Sequence, residues 1–342
     1  MMITNLIMVG IALFLAGLLL VGSKYRPDGA HFFDRENTGA MRGFWCLIVV
    51  LVHVPAAYQN GLQDMLGSFA YVGVTFFFMT SAYGLRLAAV KRPESIRHFW
   101  RNRFPKLLVP CVLTNIIRMM VYALGGRGVS LGMLIRINGW VQWLLVCYFI
   151  FWLCYRFLPE AWRDWAVCGL VAAFSLGVYL LKPQGTTWCP EVLGFVWGIL
   201  LSRGKGRFTG WMGKGWLAKN AGLFLLSGLL GVGYLMGKGI PFWGDYVLKI
   251  LLGMAILGFI LALNTKISIG SRVSRGLGAI SYEVYLLHDA AFLALESAAP
   301  GLNSGLFIFM SLLLTIALSL VVQRAGAWIL DPFCKKQQKL KR

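Results

Sequence analysis

Apolar residues in this chain fall into long continuous runs separated by short polar stretches. The runs cover residues 3–22, 41–58, 66–89, 105–124, 141–158, 164–181, 189–203, 219–236, 244–263, 277–297 and 305–328. Most suit a helix crossing hydrocarbon about 30 Å thick, which takes about 20 residues at a rise of about 1.5 Å each. Hydrocarbon offers the backbone no hydrogen-bond partner, so a spanning segment must be a helix or part of a closed barrel. A barrel would alternate apolar and polar residues in segments of about ten. Continuous runs predict helices instead. The pattern therefore predicts an all-α integral membrane protein, a polytopic bundle of about eleven transmembrane helices. The seventh run is the shortest and opens at Pro190-Glu191.

Composition agrees: 58% of residues are hydrophobic and 13% charged, against about 25% charged in soluble domains. A net charge of +20 would suit a nucleic-acid binder, but its placement excludes that class. Lysine and arginine gather in every second connection, beginning with Lys24, Arg26, Arg35 and Arg42 and ending with the tail residues Lys335, Lys336, Lys339, Lys341 and Arg342. That set holds 25 of the basic residues, and the alternate connections hold 4, namely Arg127, Arg136, Lys182 and Lys238. The positive-inside rule puts the richer set in the cytoplasm, with the N-terminus outside and the C-terminus inside. No basic residue precedes the first run and Lys24 follows it, so that run reads as an uncleaved helix more than as a signal peptide. Connections are short and no internal repeat is evident, so no soluble domain is expected and an inverted-repeat transporter is disfavoured. The predicted organisation is an N-terminal helix and linker over 1–36, a membrane domain over 37–330, and a basic tail over 331–342. The 7 cysteines lie mostly inside the runs without metal-finger spacing, so neither a metal nor a disulfide framework is expected.

Ionisable residues inside such runs are costly and mark function. Arg42 opens the second run and His53 follows about 16 Å further along the helix axis. Arg42 is thus expected at the cytoplasmic surface and His53 beyond mid-membrane. In the tenth run Ser281, Tyr285 and His288 are spaced four and three apart, which puts them on one helical face, while Glu283 points elsewhere. His288 matches His53 in depth, so two helices can bring both to one site. The alternative is two interior histidines satisfied by backbone carbonyls. Arg118, well inside the fourth run, needs a partner, and Glu191 is a candidate for it; both are candidates for touching substrate. Asp245 reads as solvated and Phe76-Phe77-Phe78 as helix packing. The stretch from Arg97 to Lys106 mixes Arg97, Arg101 and Arg103 with aromatics at a membrane surface. Arginine forks suit phosphates, and aromatics suit a nucleobase. Orienting charge with an interfacial aromatic belt is the simpler reading of the same stretch.

Four segments resemble those of membrane-bound acyltransferase family 3, the O-acyltransferases that modify extracytoplasmic glycans. Met41 to His53 is similar to the family's arginine, ten-residue gap and histidine. Gly73 to Tyr83 resembles its Phe-Phe-x-x-Ser-Gly segment, with Ala82 where glycine is usual. Phe99 to Pro110 resembles its arginine-rich stretch before a helix, and Gly278 to His288 its Ser-x-x-x-Tyr-Leu-x-His segment. Pro190 to Gly194 is a looser fifth likeness. The likeness runs from about residue 37 to 325 and implies a ten-helix core to which the first helix is an addition. It also implies transfer completed within the membrane part, without the hydrolase-like domain that many members carry.

The resemblance implies acyl-CoA, acetyl-CoA first, as cytoplasmic co-substrate, its phosphates held by Arg42, Arg97, Arg101 and Arg103. It implies His53 as general base toward an acceptor hydroxyl, with His288, Ser281 and Tyr285 assisting. The acceptor would be a glycan or another envelope hydroxyl, the setting a bacterial inner membrane, and the surrounding partner lipid. His53 lies far from the basic rim, so either the pantetheine arm reaches through the bundle or an acyl-histidine or acyl-serine relays the group. A transporter or flippase using the histidines along a proton path is the competing class, and a non-catalytic scaffold the third.

Overall fold

A computed structural model describes residues 2–182 and 188–339, with side chains as far as residue 331. Lys341 and Arg342 of the basic tail lie outside the described residues, as do the side chains of Lys335, Lys336 and Lys339. The first run folds as α1 (Met2–Leu20). Its buried positions, Met8, Ile11, Leu15 and Leu18, repeat every three or four residues and so line one face. After it come β1 (Lys24–Tyr25), α2 (Arg35–Val52), α3 (Gly61–Gly67) and α4 (Ala70–Lys91). α5 (Phe99–Leu124), α6 (Gly139–Phe157), α7 (Glu160–Leu181), α8 (Gly194–Gly213) and α9 (Trp216–Gly237) follow. A π-helical turn over Trp243–Leu248 leads into α10 (Lys249–Asn264), β2 (Ile267–Ser268), α11 (Arg272–Ala279), α12 (Ser281–Ala298) and α13 (Ser304–Lys339).

The all-α polytopic bundle read from the sequence is what forms. Eight helical segments among the described residues are long and apolar enough to cross a membrane. The other three predicted spans also fold as helices, α2, α8 and α12, each carrying three charged residues that lower its apolar character. α4 buries thirteen residues and α2 and α12 eleven each, whereas peripheral α9 buries two, so α2, α4 and α12 form the centre of the bundle.

Glycines set how closely these central helices approach. A Cβ on Gly43 would collide with the Ser274 carbonyl oxygen, and one on Gly278 with the carbonyl of Gly39. α2 and α11 therefore touch backbone to backbone, a small-residue contact of the kind that drives helix association in lipid. α4 and α8 meet the same way, Gly194 on Thr75 and Gly198 on Met79. Here Ala82 has a physical account. A Cβ on Gly198 would lie 2.8 Å from that of Ala82, so the missing glycine of α4 is supplied across the contact by α8.

The basic connections converge on one end of the bundle. Lys24 and Tyr25 pair antiparallel with Ser268 and Ile267, Arg275 reaches Glu36 at 3.1 Å, and Arg86 and Arg203 reach Asp164 at 2.9 and 3.3 Å. At the opposite end, the Asn60 amide donates to Ser304 at 2.7 Å.

Three of the boundary shifts bear on the site. The second span is 35–52 and not 41–58: Asp34 caps it by accepting from the Asn37 N–H, and Pro55, which disfavours helix at the residue before it, stops it short. The seventh runs from Gly194 to Gly213, well past 203, because Arg203, Lys205 and Arg207 continue the helix beyond the apolar run. The tenth is broken at Ile280 (φ −104°, ψ 7°) into α11 and α12.

Candidate active site

The early end of α2 places His53 at its cap and not inside a span, as its spacing had predicted. The side chain is exposed, and its Nδ1 lies 2.7 Å from the Val49 carbonyl oxygen. The break at Ile280 starts α12 at Ser281, and two turns on His288 is 5% exposed, its Nδ1 2.7 Å from the Tyr285 carbonyl oxygen. A carbonyl oxygen can only accept, so both rings donate from Nδ1 and keep a basic lone pair on Nε2. The rings are in contact, tilted by 50° with centroids 4.7 Å apart. The two histidines expected at one depth do meet, one buried beneath the other.

His53 opens onto a cavity of about 240 Å3 that Arg118, Tyr122, Arg127 and Asp289 also line. Arg118 does not pair with Glu191, the partner its position had offered. It donates to both carboxylate oxygens of Asp289, at 2.8 and 2.6 Å. Glu191 instead pairs with Lys249 at 2.6 Å, and the Lys249 ammonium lies 5.4 Å from the centre of the Tyr71 ring. Lys249 lines a separate small cavity between α4 and α10, so the structure does not bring Glu191 to the histidines. Asp289 was missed by sequence reasoning, although a carboxylate next to His288 was the visible signal that Arg118 had a closer partner. Glu191→Ala is expected to cost about 3–5 kcal/mol by stranding Lys249, measured as thermal unfolding in detergent; an unchanged transition would show the pair to be neutral. Asp245, expected to be solvated, accepts from the Tyr179 hydroxyl at 2.7 Å, because the π-helical turn carries it against α7.

Toward the basic end, Arg42, Ser281 and Tyr285 line one cavity of about 20 Å3 with Phe77, Trp140 and Tyr282, room for about one water. Arg42 is therefore inside the bundle and not at its surface, since α2 begins seven residues before it. Its guanidinium lies 5.9 Å from the centre of the Phe77 ring, and its Nε is buried without a hydrogen-bond partner. One face of α12 does carry Ser281 and Tyr285 into this space. The Ser281 hydroxyl donates to the Gly278 carbonyl at 2.9 Å, and the Tyr285 hydroxyl to Asn138 Oδ1 at 3.3 Å. Glu283, expected to point away, is buried within electrostatic reach of Arg42. Phe76 and Phe78 are pure packing, whereas Phe77 lines the cavity.

Beyond it, Arg101 and Arg103 on the first turns of α5 line a cavity of about 920 Å3 with Arg92, His98 and Lys106. Arg97 is exposed on the short 3-10 turn Pro93–His98 and is not among the lining residues. Tyr148 lies beside the larger cavity, its ring edge-on to Phe99 with 5.9 Å between ring centres. Its hydroxyl bonds Ser81 and lies within electrostatic reach of both Arg42 and Arg103. A polar line thus runs from the arginine cavity, past Arg42, Ser281 and Tyr285, to the paired histidines.

No curated protein and no solved structure matches the chain. A family model described as an acyltransferase domain matches residues 37–324, from α2 into α13. That stretch contains both histidines, Arg42, Ser281, Tyr285 and the arginine cavity, so the chain belongs to acyltransferase family 3 as an integral membrane protein.

Proposed function

We propose that the chain is a membrane O-acyltransferase that moves an acetyl group from acetyl-CoA, entering at the basic end, to a hydroxyl of a glycan or other cell-envelope acceptor at the histidine end. In this reading it sits in the plasma membrane, a bacterial inner membrane, with the N-terminus outside and the C-terminus in the cytoplasm. The observation that carries it is the histidine pair: His53, its Nε2 left free by a backbone carbonyl at Nδ1, lines the cavity, and His288, set the same way, is buried against it. The arginine cavity lies at the other end of the same polar line.

The acceptor enters the cavity beside Arg118, and its hydroxyl proton passes to His53 Nε2. The hydroxyl oxygen bonds to the thioester carbonyl carbon as the proton leaves. The tetrahedral intermediate carries negative charge on oxygen, for which Arg118, on the wall of the same cavity as His53, is the guanidinium at hand. Collapse breaks the C–S bond, and the CoA thiolate takes the proton back from the imidazolium. His288 holds the His53 ring from below, while Ser281 and Tyr285 border the path of the acyl group. Arg101 and Arg103 hold the diphosphate of the donor, with Arg97 at the rim. The passage beside Arg42 admits about one water, so the pantetheine arm advances as Phe77 and Trp140 swing aside.

The test gives radiolabelled acetyl-CoA to the protein in vesicles, with and without a glycan extract. Label on the glycan supports the reading. Neither donor binding nor turnover would move the assignment to a transporter or flippase. The double change Arg101→Gln, Arg103→Gln is expected to raise KM for acetyl-CoA about 10- to 100-fold, the worth of one or two hydrogen bonds to a charged group. An unchanged KM would place the donor elsewhere.

A further inference from the structure

A second basic cavity, of about 520 Å3, lies at the basic end between α4, α7 and α8. It has no part in the path just described. Three guanidiniums line it, those of Arg86, Arg163 and Arg203, against two carboxylates, Asp164 and Glu160. Asp164 is fully engaged. It accepts from Arg86 at 2.9 Å, from the Tyr155 hydroxyl at 2.5 Å and from Arg203 at 3.3 Å. Glu160 sits at the exposed first turn of α7. Arg163 is different. Among the described residues it makes no ion pair and its Nε is buried without a hydrogen-bond partner, while its guanidinium lies 5.2 Å from the centre of the Tyr155 ring. A half-buried guanidinium that lines a cavity with one of its donors unsatisfied is an incomplete anion site. α7 also begins here, and the free N–H groups of a first helical turn favour an anion.

The surroundings decide which anion. Trp162 and Trp165, on the same turn of α7, are 67% and 53% exposed, and Arg203 lies 5.2 Å from the centre of the Trp165 ring. Exposed tryptophans at the end of a helix that is long and apolar enough to cross a membrane sit at headgroup depth. A basic pocket between helices at that depth meets lipid phosphates before any soluble ligand. From this we infer that the cavity is a binding site for the headgroup of an anionic phospholipid. Arg163 and Arg203 take the phosphate, and Trp162 and Trp165 cover the glycerol and upper acyl carbons. The site is independent of acyl transfer and persists whatever the chemistry at the histidines.

Delipidated full-length protein in detergent, given phosphatidylglycerol or phosphatidylcholine and followed by native mass spectrometry, tests this. Phosphatidylglycerol is expected to be retained about tenfold more tightly than phosphatidylcholine, and Arg163→Gln to remove that preference. Arg163 has no ion-pair partner to strand among the described residues, so the variant is expected to keep its fold. Glu160→Gln works in the opposite direction and should tighten retention. Millimolar inorganic phosphate and saturating acetyl-CoA should leave the bound lipid in place. Equal retention in Arg163→Gln, or weaker retention in Glu160→Gln, overturns the site. Displacement by phosphate would make it a seat for a free anion, and displacement by acetyl-CoA a part of the donor site; either result also overturns the lipid assignment.

Discussion

His53→Ala is expected to lower acyl transfer about 10²- to 10⁴-fold, the usual contribution of a positioned general base, while the thermal transition stays where it was. The second half follows from position. His53 is an exposed cap residue whose side chain bonds only the carbonyl of Val49, one turn back in its own helix. Its removal opens no internal cavity and strands no buried charge. His288→Ala cannot be so clean. That ring is buried, packed 5.8 Å from Phe292 and 4.7 Å from His53, so losses of activity and stability arrive together. If the pair acts as one unit, the double variant falls no further than the worse single one, since residues that act together are non-additive. Turnover of labelled acetyl-CoA in vesicles, beside the melting curve of each variant, gives the answer. A His53→Ala protein that still turns over would remove His53 from the chemistry and leave the pair as a structural contact.

Helical spans were legible because hydrocarbon demands them: where apolar residues run on for twenty positions, little else satisfies the backbone. The charged centre was harder to read. α2 and α12 each carry three charged residues, and their apolar character alone would not mark them as central. What marks them is a neighbour, which only the packing reveals. Spacing put Ser281, Tyr285 and His288 on one face, and they are there. It could not show that α2 begins at Arg35, six residues before its apolar run. That start moves Arg42 from rim to interior and leaves His53 at the cap. Nor does any local rule match Arg118 to Asp289 across 171 positions, or Glu191 to Lys249. Charge pairing inside a bundle depends on which helices are adjacent, and a list of runs does not order them in space.

That adjacency rests on absent side chains, which makes Gly278→Ala the most damaging small substitution expected here. A Cβ on Gly278 would lie 2.6 Å from the Gly39 carbonyl carbon and closer still to its oxygen; one on Gly43 would lie 2.8 Å from the Gly278 nitrogen. Backbone atoms cannot rotate away as a side chain can, so α2 and α11 must separate. Overpacking of this kind costs about 1–3 kcal/mol, and more where neither side can yield. The functional loss should exceed the loss of stability. α11 leads into α12 through Ile280, so a shift at Gly278 displaces Ser281 from Arg42 and tilts His288 against His53. Gly276 provides the internal control. It lies on the same short helix with nothing within 4 Å of the place its Cβ would occupy, and alanine there should stabilise by up to about 1 kcal/mol through helix propensity. The two alanine variants, compared by thermal unfolding and by labelled transfer, should diverge in both readouts. If Gly278→Ala melts and turns over like Gly276→Ala, the close approach of α2 and α11 is not what holds the arginine, the serine and the histidines in register.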